Sequence, residues 1–298
     1  MEVVRELKEI PNLSLALGFF DGIHLGHQSV IKCAVDFATE VGCKSAVVSF
    51  KEHPYCYFKG VPPKYILTLQ DKYKYIEELG VDYLIELDFS TVCHLHPEEY
   101  LSDVLVKYFS PKAISTGFNH KFGVDKSGNV QFLSDKQNKF DYFYFATPPQ
   151  SIYGDTISST SIRKYLREGD IFLANSMLGR KFCVSGTVIK GKELGAKIGF
   201  PTANIIYPKE VVELPFGVYN VEVELDNGET YRGLANFGVA PTISESGNCV
   251  LETYLLNYHG NLYGKNIRVF FSKMLRPEIK FSSVEELKTQ INIDLQSL

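Results

Sequence analysis

Along the first half of this chain, short solid apolar runs take turns with stretches whose apolar residues recur at helical spacing. The run Leu13-Ser14-Leu15-Ala16-Leu17 reads as a buried strand, predicted over 13–18. Further strands are predicted over 45–50, 81–87, 112–116 and 141–146. Between them, Val30, Ile31, Ala34, Phe37 and Ala38 mark one face of a helix over 26–41. Two more helices are predicted over 69–79 and 97–109, the first capped by Thr68 and the second opened by Pro97. Alternation of this kind predicts an α/β unit, a doubly wound parallel sheet covered by helices. Ligands of such sheets bind at the carboxyl ends of the strands.

Two short helices, 160–168 and 171–178, are predicted to close this half. From Phe182 onward the pattern becomes that of short alternating strands. Segments 218–225 and 229–237 flank Asp226-Asn227-Gly228, a strong hairpin signal, and further strands fit 249–256 and 266–274. Ser283 followed by Glu286 reads as a capping box for a last helix over 284–295. A small antiparallel β-barrel with a terminal helix is predicted. The domain boundary is placed near Gly179-Arg180-Lys181, giving domains 1–180 and 181–298.

Length and composition narrow the classes. The 298 residues have room for two domains, and a net charge of -4 gives no support to a nucleic-acid surface. Six cysteines are scattered without a C-x-x-C pair, which points to reduced thiols. No secretory signal and no apolar run of membrane-spanning length is seen. A soluble cytoplasmic protein with no nucleic-acid or membrane partner is expected.

The richest segment follows the first strand: Gly18-Phe19-Phe20-Asp21-Gly22-Ile23-His24-Leu25-Gly26-His27. A glycine-rich turn from strand to helix offers backbone N–H groups and a helix N-terminus to an anion. His24 and His27 add side-chain donors. A nucleotidyl transferase needs this arrangement for a triphosphate, because the acceptor phosphate is already a nucleophile and the protein has only to align and neutralise. Gly18, Phe20, Asp21 and Gly22 are the nucleotide-binding candidates of the turn. Zinc is not expected, since no H-E-x-x-H and no cysteine stands at ligand spacing. The H-x-G-H run also occurs in class I aminoacyl-tRNA synthetases. Those carry a lysine-rich second signature, whereas this chain has Ile157-Ser158-Ser159-Thr160-Ser161-Ile162-Arg163 at a predicted helix start. Hydroxyls and an arginine there make a second phosphate clamp.

In the second half, Gly186, Val188 and Gly191 form G-x-V-x-x-G, followed by Gly195 and by Gly199-Phe200-Pro201-Thr202-Ala203-Asn204. A Walker A loop is excluded, because Ala196-Lys197-Ile198 stands where G-K-[ST] is required. Glycines such as Gly191 and Gly199 let backbone approach phosphate closely. A threonine hydroxyl and an asparagine carbonyl are oxygen donors suited to Mg²⁺.

On these motifs the chain resembles the bacterial bifunctional riboflavin kinase/FAD synthetase (FMN adenylyltransferase) family, from about Leu15 to Ile293. The resemblance implies that riboflavin and ATP give FMN in the C-terminal barrel, and that FMN and a second ATP give FAD and pyrophosphate in the N-terminal domain, with Mg²⁺ assisting. It further implies that Asn119 lies at the nucleotide and flavin site, and that Ser159, Thr160 and Arg163 hold ATP phosphates. Thr202 and Asn204 are implied as metal ligands, Glu252 as the base for the riboflavin hydroxyl, and Arg276 as a flavin-side residue. Ser49-Phe50 with His53-Pro54, and the segment Thr116-Gly117 to Gly123, match the family with two departures. Glu52 replaces a usual proline and His120 a usual phenylalanine. The segment Asn236-Phe237-Gly238 through Pro241-Thr242 also matches. The departures point to adenylyl transfer as the weaker activity and leave the alternative of a chain that retains only kinase activity; a flavin-binding regulator without catalysis is a further alternative. A pantetheine-phosphate or cytidylyl transferase would explain H-x-G-H but not the second half.

Overall fold

The computed structural model describes residues 1–191, 195, 198–239 and 249–298. By internal contacts the chain divides into two compact units, Met1–Pro63 with Leu69–Ser158, and Lys64–Thr68 with Ser159–Leu298. The compact division therefore falls at Ser158/Ser159, before the two short helices that precede residue 180.

In the first unit six parallel strands form one sheet: β1 (Glu2–Val4), β2 (Leu13–Leu17), β3 (Lys44–Phe50), β4 (Tyr83–Leu87), β5 (Ala113–Gly117) and β6 (Phe143–Thr147). Their order is β1-β4-β3-β2-β5-β6. The chain winds outward from β2 in both directions, so the switch point lies between β2 and β5, where Ala16 pairs with Ser115. Helix α1 (Leu25–Val41) packs over β2, β3 and β5 through Val30, Ile31, Ala34 and Ala38. Leu13, Leu15 and Leu17 point the other way, into a core with Leu101, Leu105 and Phe109. Those three belong to the helical stretch 97–109, which widens to a π-helix over Tyr100–Val106.

The predicted strands and long helices of this unit stand where the pattern put them, to within two or three residues. Helices α2 (Pro54–Lys59) and α4 (Val130–Phe140) were not predicted; α3 (Leu69–Glu78) was. α4 buries only Leu133 completely, and most of its residues are polar, so no solid apolar run marks it in the sequence.

The second unit holds α5 (Ser159–Glu168), α6 (Ile171–Leu178) and a six-stranded antiparallel sheet. Its strands are β7 (Phe182–Thr187), β8 (Thr202–Ile206), β9 (Gly217–Leu225), β10 (Thr230–Val239), β11 (Cys249–Leu255) and β12 (Asn266–Pro277), ordered β7-β12-β9-β10-β11-β8. The sheet curls as a half-barrel. Its ends, β7 and β8, share no ladder; a bridge from Ile189 to Asn204 partly joins them, and Gly186 lets the backbone pass the Ile205 side chain, which a Cβ there would approach to 3.1 Å. Tyr219, Phe237 and Phe271 fill the interior, each contributing about 2–3 kcal/mol of apolar transfer. Segment 64–68 joins this unit through Tyr65, which donates to the Glu210 carbonyl and accepts from the Val212 amide. Ala240 and Pro241-Thr242 of the matched segment, and Ala196-Lys197, lie outside the described residues.

The terminal helix α7 (Val284–Gln296) begins at Ser283, whose side chain accepts from the Glu286 amide as the capping pattern predicts. It is tied to β12 by Arg276, whose Nε and Nη2 donate to the Asp294 carboxylate at 3.0 and 2.8 Å. Both side chains are largely buried. Removing one partner leaves the other charge uncompensated. Asp294→Ala is expected to destabilise the second unit by about 3 kcal/mol, read as a lower urea midpoint in equilibrium unfolding.

Candidate functional site

β2 ends at Leu17 and the chain must reverse into α1 within a few residues. It does so with Phe20, Gly22 and Ile23 all at positive φ, 58°, 84° and 40°. For phenylalanine, and more so for β-branched isoleucine, this is strained backbone that surrounding packing must hold. Phe20 and Ile23 are buried, which supplies that packing. His24 then caps α1: its Nδ1 accepts the His27 N–H at 3.2 Å. An accepting Nδ1 puts the proton of the neutral ring on Nε2, so His24 presents an N–H donor on its other edge. The His27 ring stacks on it at 3.5 Å and meets Phe20 edge-on at 5.2 Å. Gly26 makes room for this, since a Cβ there would crowd the His24 ring at 3.3 Å. The two histidines are thus brought together at a helix N-terminus, on the carboxyl end of a central parallel strand.

Neighbouring segments gather at the same edge. The Phe19 ring meets His53 edge-on at 4.6 Å. His53 caps α2 by accepting from the Tyr55 amide, and Pro54 occupies its first turn. That cap and proline close the turn beside the exposed Glu52. Across the switch point, β5 leads into Gly117, Phe118 and Asn119, and Asn119 is exposed. Its loop is ordered by a short ladder between Lys121–Phe122 and Gly128–Asn129. His120 stacks on Phe122 at 5.7 Å, and its Nε2 is buried without a hydrogen-bond partner. Burial pulls its pKa down to about 4.

Sequence reasoning passed over Lys72. This lysine is buried on α3, and its Nζ donates to Ser49 Oγ at 3.0 Å and lies 4.3 Å over the Phe19 ring. In the sequence it is one of five charged residues in Leu69–Glu78, and such a charge-rich helix reads as solvated.

Ser159, Thr160 and Arg163 open α5 and belong to the second compact unit, not to the unit of the histidines. Arg163 Nε donates to the Lys64 carbonyl at 2.8 Å.

The second cluster lies on the half-barrel. Register places Asn204 of β8 opposite Glu252 of β11, and Glu252 opposite Asn236 of β10. Directly opposed residues share a face, so the three form one polar row, on the face away from Tyr219 and Phe237. Thr202 stands two residues before Asn204 on that face. Asn204 is 5% exposed; its Nδ2 donates to the Thr202 carbonyl, and its Oδ1 is buried with no hydrogen-bond partner. A buried acceptor left open is costly unless a ligand fills it. Gly191 sits directly against this amide: a Cβ there would stand 2.5 Å from Nδ2. Gly199 turns the chain at φ 93°. Beside Thr202 a cleft of about 250 Å³ is walled by Pro201, Leu255, Tyr258, Leu262 and Tyr263. An oxygen-only donor set of a hydroxyl and an amide suits a hard divalent cation that keeps waters. Among the described residues no three His, Cys, Asp or Glu side chains gather as a metal site. Arg276 is taken up by Asp294 and by the Pro277 carbonyl.

With both clusters described, comparison with known proteins gives a consistent result. The FAD synthetase family matches residues 7–161 and the riboflavin kinase family residues 178–298. A bifunctional riboflavin kinase/FMN adenylyltransferase of Haemophilus influenzae is 35% identical, covering 100% of this chain and 98% of the relative. Its counterpart in Listeria monocytogenes is 35% identical, covering 96% and 91%. A solved structure described as a macrolide-efflux protein from Streptococcus pneumoniae is 28% identical with a TM-score of 0.89, covering 99% of this chain and 98% of that one. Among the described residues, no helix of this chain is long and apolar enough to cross a membrane.

His120 offers a direct check on the first cluster. In the unfolded chain its imidazole binds a proton near pH 6.5, and in the folded unit only near 4. Between those values the unfolded state holds more protons, so stability falls as pH drops through that window. An NMR titration of the folded protein should show no His120 transition between pH 5.5 and 8, and His120→Phe should reduce the acid sensitivity of unfolding.

Proposed function

The chain belongs to the bifunctional riboflavin kinase/FMN adenylyltransferase family, and we propose that it divides the two reactions between the clusters described above. Riboflavin is phosphorylated by ATP to FMN, and FMN accepts AMP from a second ATP to give FAD and pyrophosphate. The observation that carries the two-site reading is the separation of His24 and His27 in one compact unit from Asn204 and Glu252 in the other. Functionally, residues 1–180 serve adenylyl transfer and 181–298 the kinase.

In adenylyl transfer an FMN phosphate oxygen attacks the α-phosphorus of ATP, and the bond from that phosphorus to the β-phosphate oxygen breaks. No base is required. His24 Nε2–H and the His27 ring donate to oxygens on which negative charge grows, and the N-terminus of α1 adds its dipole. The backbone of Gly18, Phe20, Asp21 and Gly22 shapes the phosphate cradle. Asn119 reaches nucleotide and flavin from across the switch point. Ser159, Thr160 and Arg163 are assigned to ATP phosphates by their motif.

In the kinase reaction the nucleophile is a neutral hydroxyl. Glu252 accepts its proton as oxygen attacks the γ-phosphorus, and ADP leaves. Thr202 and the open Oδ1 of Asn204 would hold a divalent cation, Mg²⁺ by its donor chemistry, which neutralises phosphate charge when bound. Gly191 and Gly199 bring backbone close to the phosphates, and the cleft beside Thr202 accepts the nucleoside. Arg276 serves the flavin side by fixing α7 through Asp294. A cytoplasmic setting suits these substrates.

His24→Ala and His27→Ala are each expected to lower FAD formation from FMN by about 10²–10³-fold and to spare FMN formation. Glu252→Ala is expected to lower FMN formation by about 10²–10⁴-fold and to spare FAD formation when FMN is supplied. Chromatographic time courses of riboflavin, FMN and FAD check both. Loss of both activities in each folded variant would overturn the two-site reading.

A further inference from the structure

Lys72 is the one buried lysine among the described residues, at 6% exposure. A lysine ammonium is seldom taken out of water without a reason. Its Nζ donates to Ser49 Oγ at 3.0 Å and stands 4.3 Å above the Phe19 ring. Ser49 passes the contact on, its Oγ donating to the Phe19 carbonyl at 3.2 Å. Phe19 is therefore gripped at ring and carbonyl, one residue before the positive-φ positions of the turn begin. Neither reaction step derived above uses this ammonium.

We propose that Lys72 is a positioning residue for adenylyl transfer, its ammonium holding the strained turn, through Ser49 and Phe19, in the form that aims His24 and His27 at the phosphates. The proposal rests on the assignment of that turn to adenylyl transfer. Residues in sparsely populated backbone regions persist only when their surroundings over-determine them. Here the surroundings are a charge-assisted hydrogen bond and a cation over an aromatic face, and both weaken if the amine loses its proton.

The groups that face Lys72 make that loss reachable. Burial lowers its pKa to about 8, against the opposing pull of Glu86 from β4 and Asp21 from the turn. Glu86 in turn accepts from Tyr73 at 2.7 Å and lies 3.5 Å from Arg5. His53 occupies the edge of Phe19. Above pH 8 the ammonium is progressively lost from the folded unit, while the unfolded chain keeps its proton up to about 10.5. Over that range folding gains stability with rising pH. An alkaline loss of adenylyl transfer from this cause is thus not unfolding.

The test uses the full chain and reads two activities from pH 6 to 9.5: FAD from supplied FMN and ATP, and FMN from riboflavin and ATP. The wild type should lose FAD formation on an alkaline limb near pH 8 that FMN formation lacks. Lys72→Met should lower kcat for FAD formation by about tenfold to a hundredfold at pH 7, with KM for FMN little changed, and should flatten the limb. Circular dichroism checks the fold; if Lys72→Met does not fold, Lys72→Gln and the wild-type profile carry the test. Full kcat in a folded Lys72 variant, or a wild-type profile flat to pH 9, overturns the proposal. His24→Ala separates the two failures. An inactive His24→Ala beside an active Lys72→Met sinks the role of Lys72 alone, and an active His24→Ala sinks the assignment of the turn and the proposal with it.

Discussion

A helix cannot bond its first N–H groups internally, and α1 meets that constraint with its own chemistry. His24 takes the His27 N–H on Nδ1, and this single hydrogen bond sets much else. It sends the proton of the His24 ring to Nε2. It brings His27 over His24 as a stacked pair. The chain reaches this cap from β2 through Phe20, Gly22 and Ile23, all at positive φ. Two of these three are not glycine, so the turn is held by tertiary contacts rather than by local preference. Buried Phe20 and Ile23 and the grip of Lys72 and Ser49 on Phe19 supply them.

The half-barrel solves a different problem with a similar economy. Its row of Asn204, Glu252 and Asn236 rides on the polar side of an antiparallel sheet whose other side is the core. Alternation makes this possible: Ala203, Ile205, Leu251 and Phe237 point inward, so Asn204, Glu252 and Asn236 point away. The lack of a ladder between β7 and β8 leaves the Asn204 edge reachable by backbone from Ile189 and Gly191. A fully closed barrel would spend those backbone groups on pairing. The open acceptor of Asn204 is what such an edge can offer a cation.

Much of this was legible in the chain itself. Solid apolar runs alternating with 3.6-period stretches gave the parallel sheet, and Asp226-Asn227-Gly228 between alternating runs gave the β9–β10 hairpin. Helix α4 escaped because it buries one residue fully and presents a mostly polar sequence, although Asn129, which caps it, was in view. The short strand β1 is three residues long, below any periodic signal. The compact division before α5 was hidden because contacts between sequence-distant residues, such as Asn175 of α6 donating to the Phe271 carbonyl of β12, leave no local trace.

Local rules therefore determined most of the element types, the strand-to-helix turn with its two histidines, and the glycine-rich approach to Thr202 and Asn204, since each depends on residues a few positions apart. Only the tertiary structure decided the rest. Strand order put the Asn119 loop across the switch point from the histidine turn. Register set Glu252 beside Asn204. Burial made Lys72 a titratable support where the sequence shows an ordinary helical lysine. Pairing, register and desolvation join residues distant in the chain, and no periodicity along it encodes which will meet.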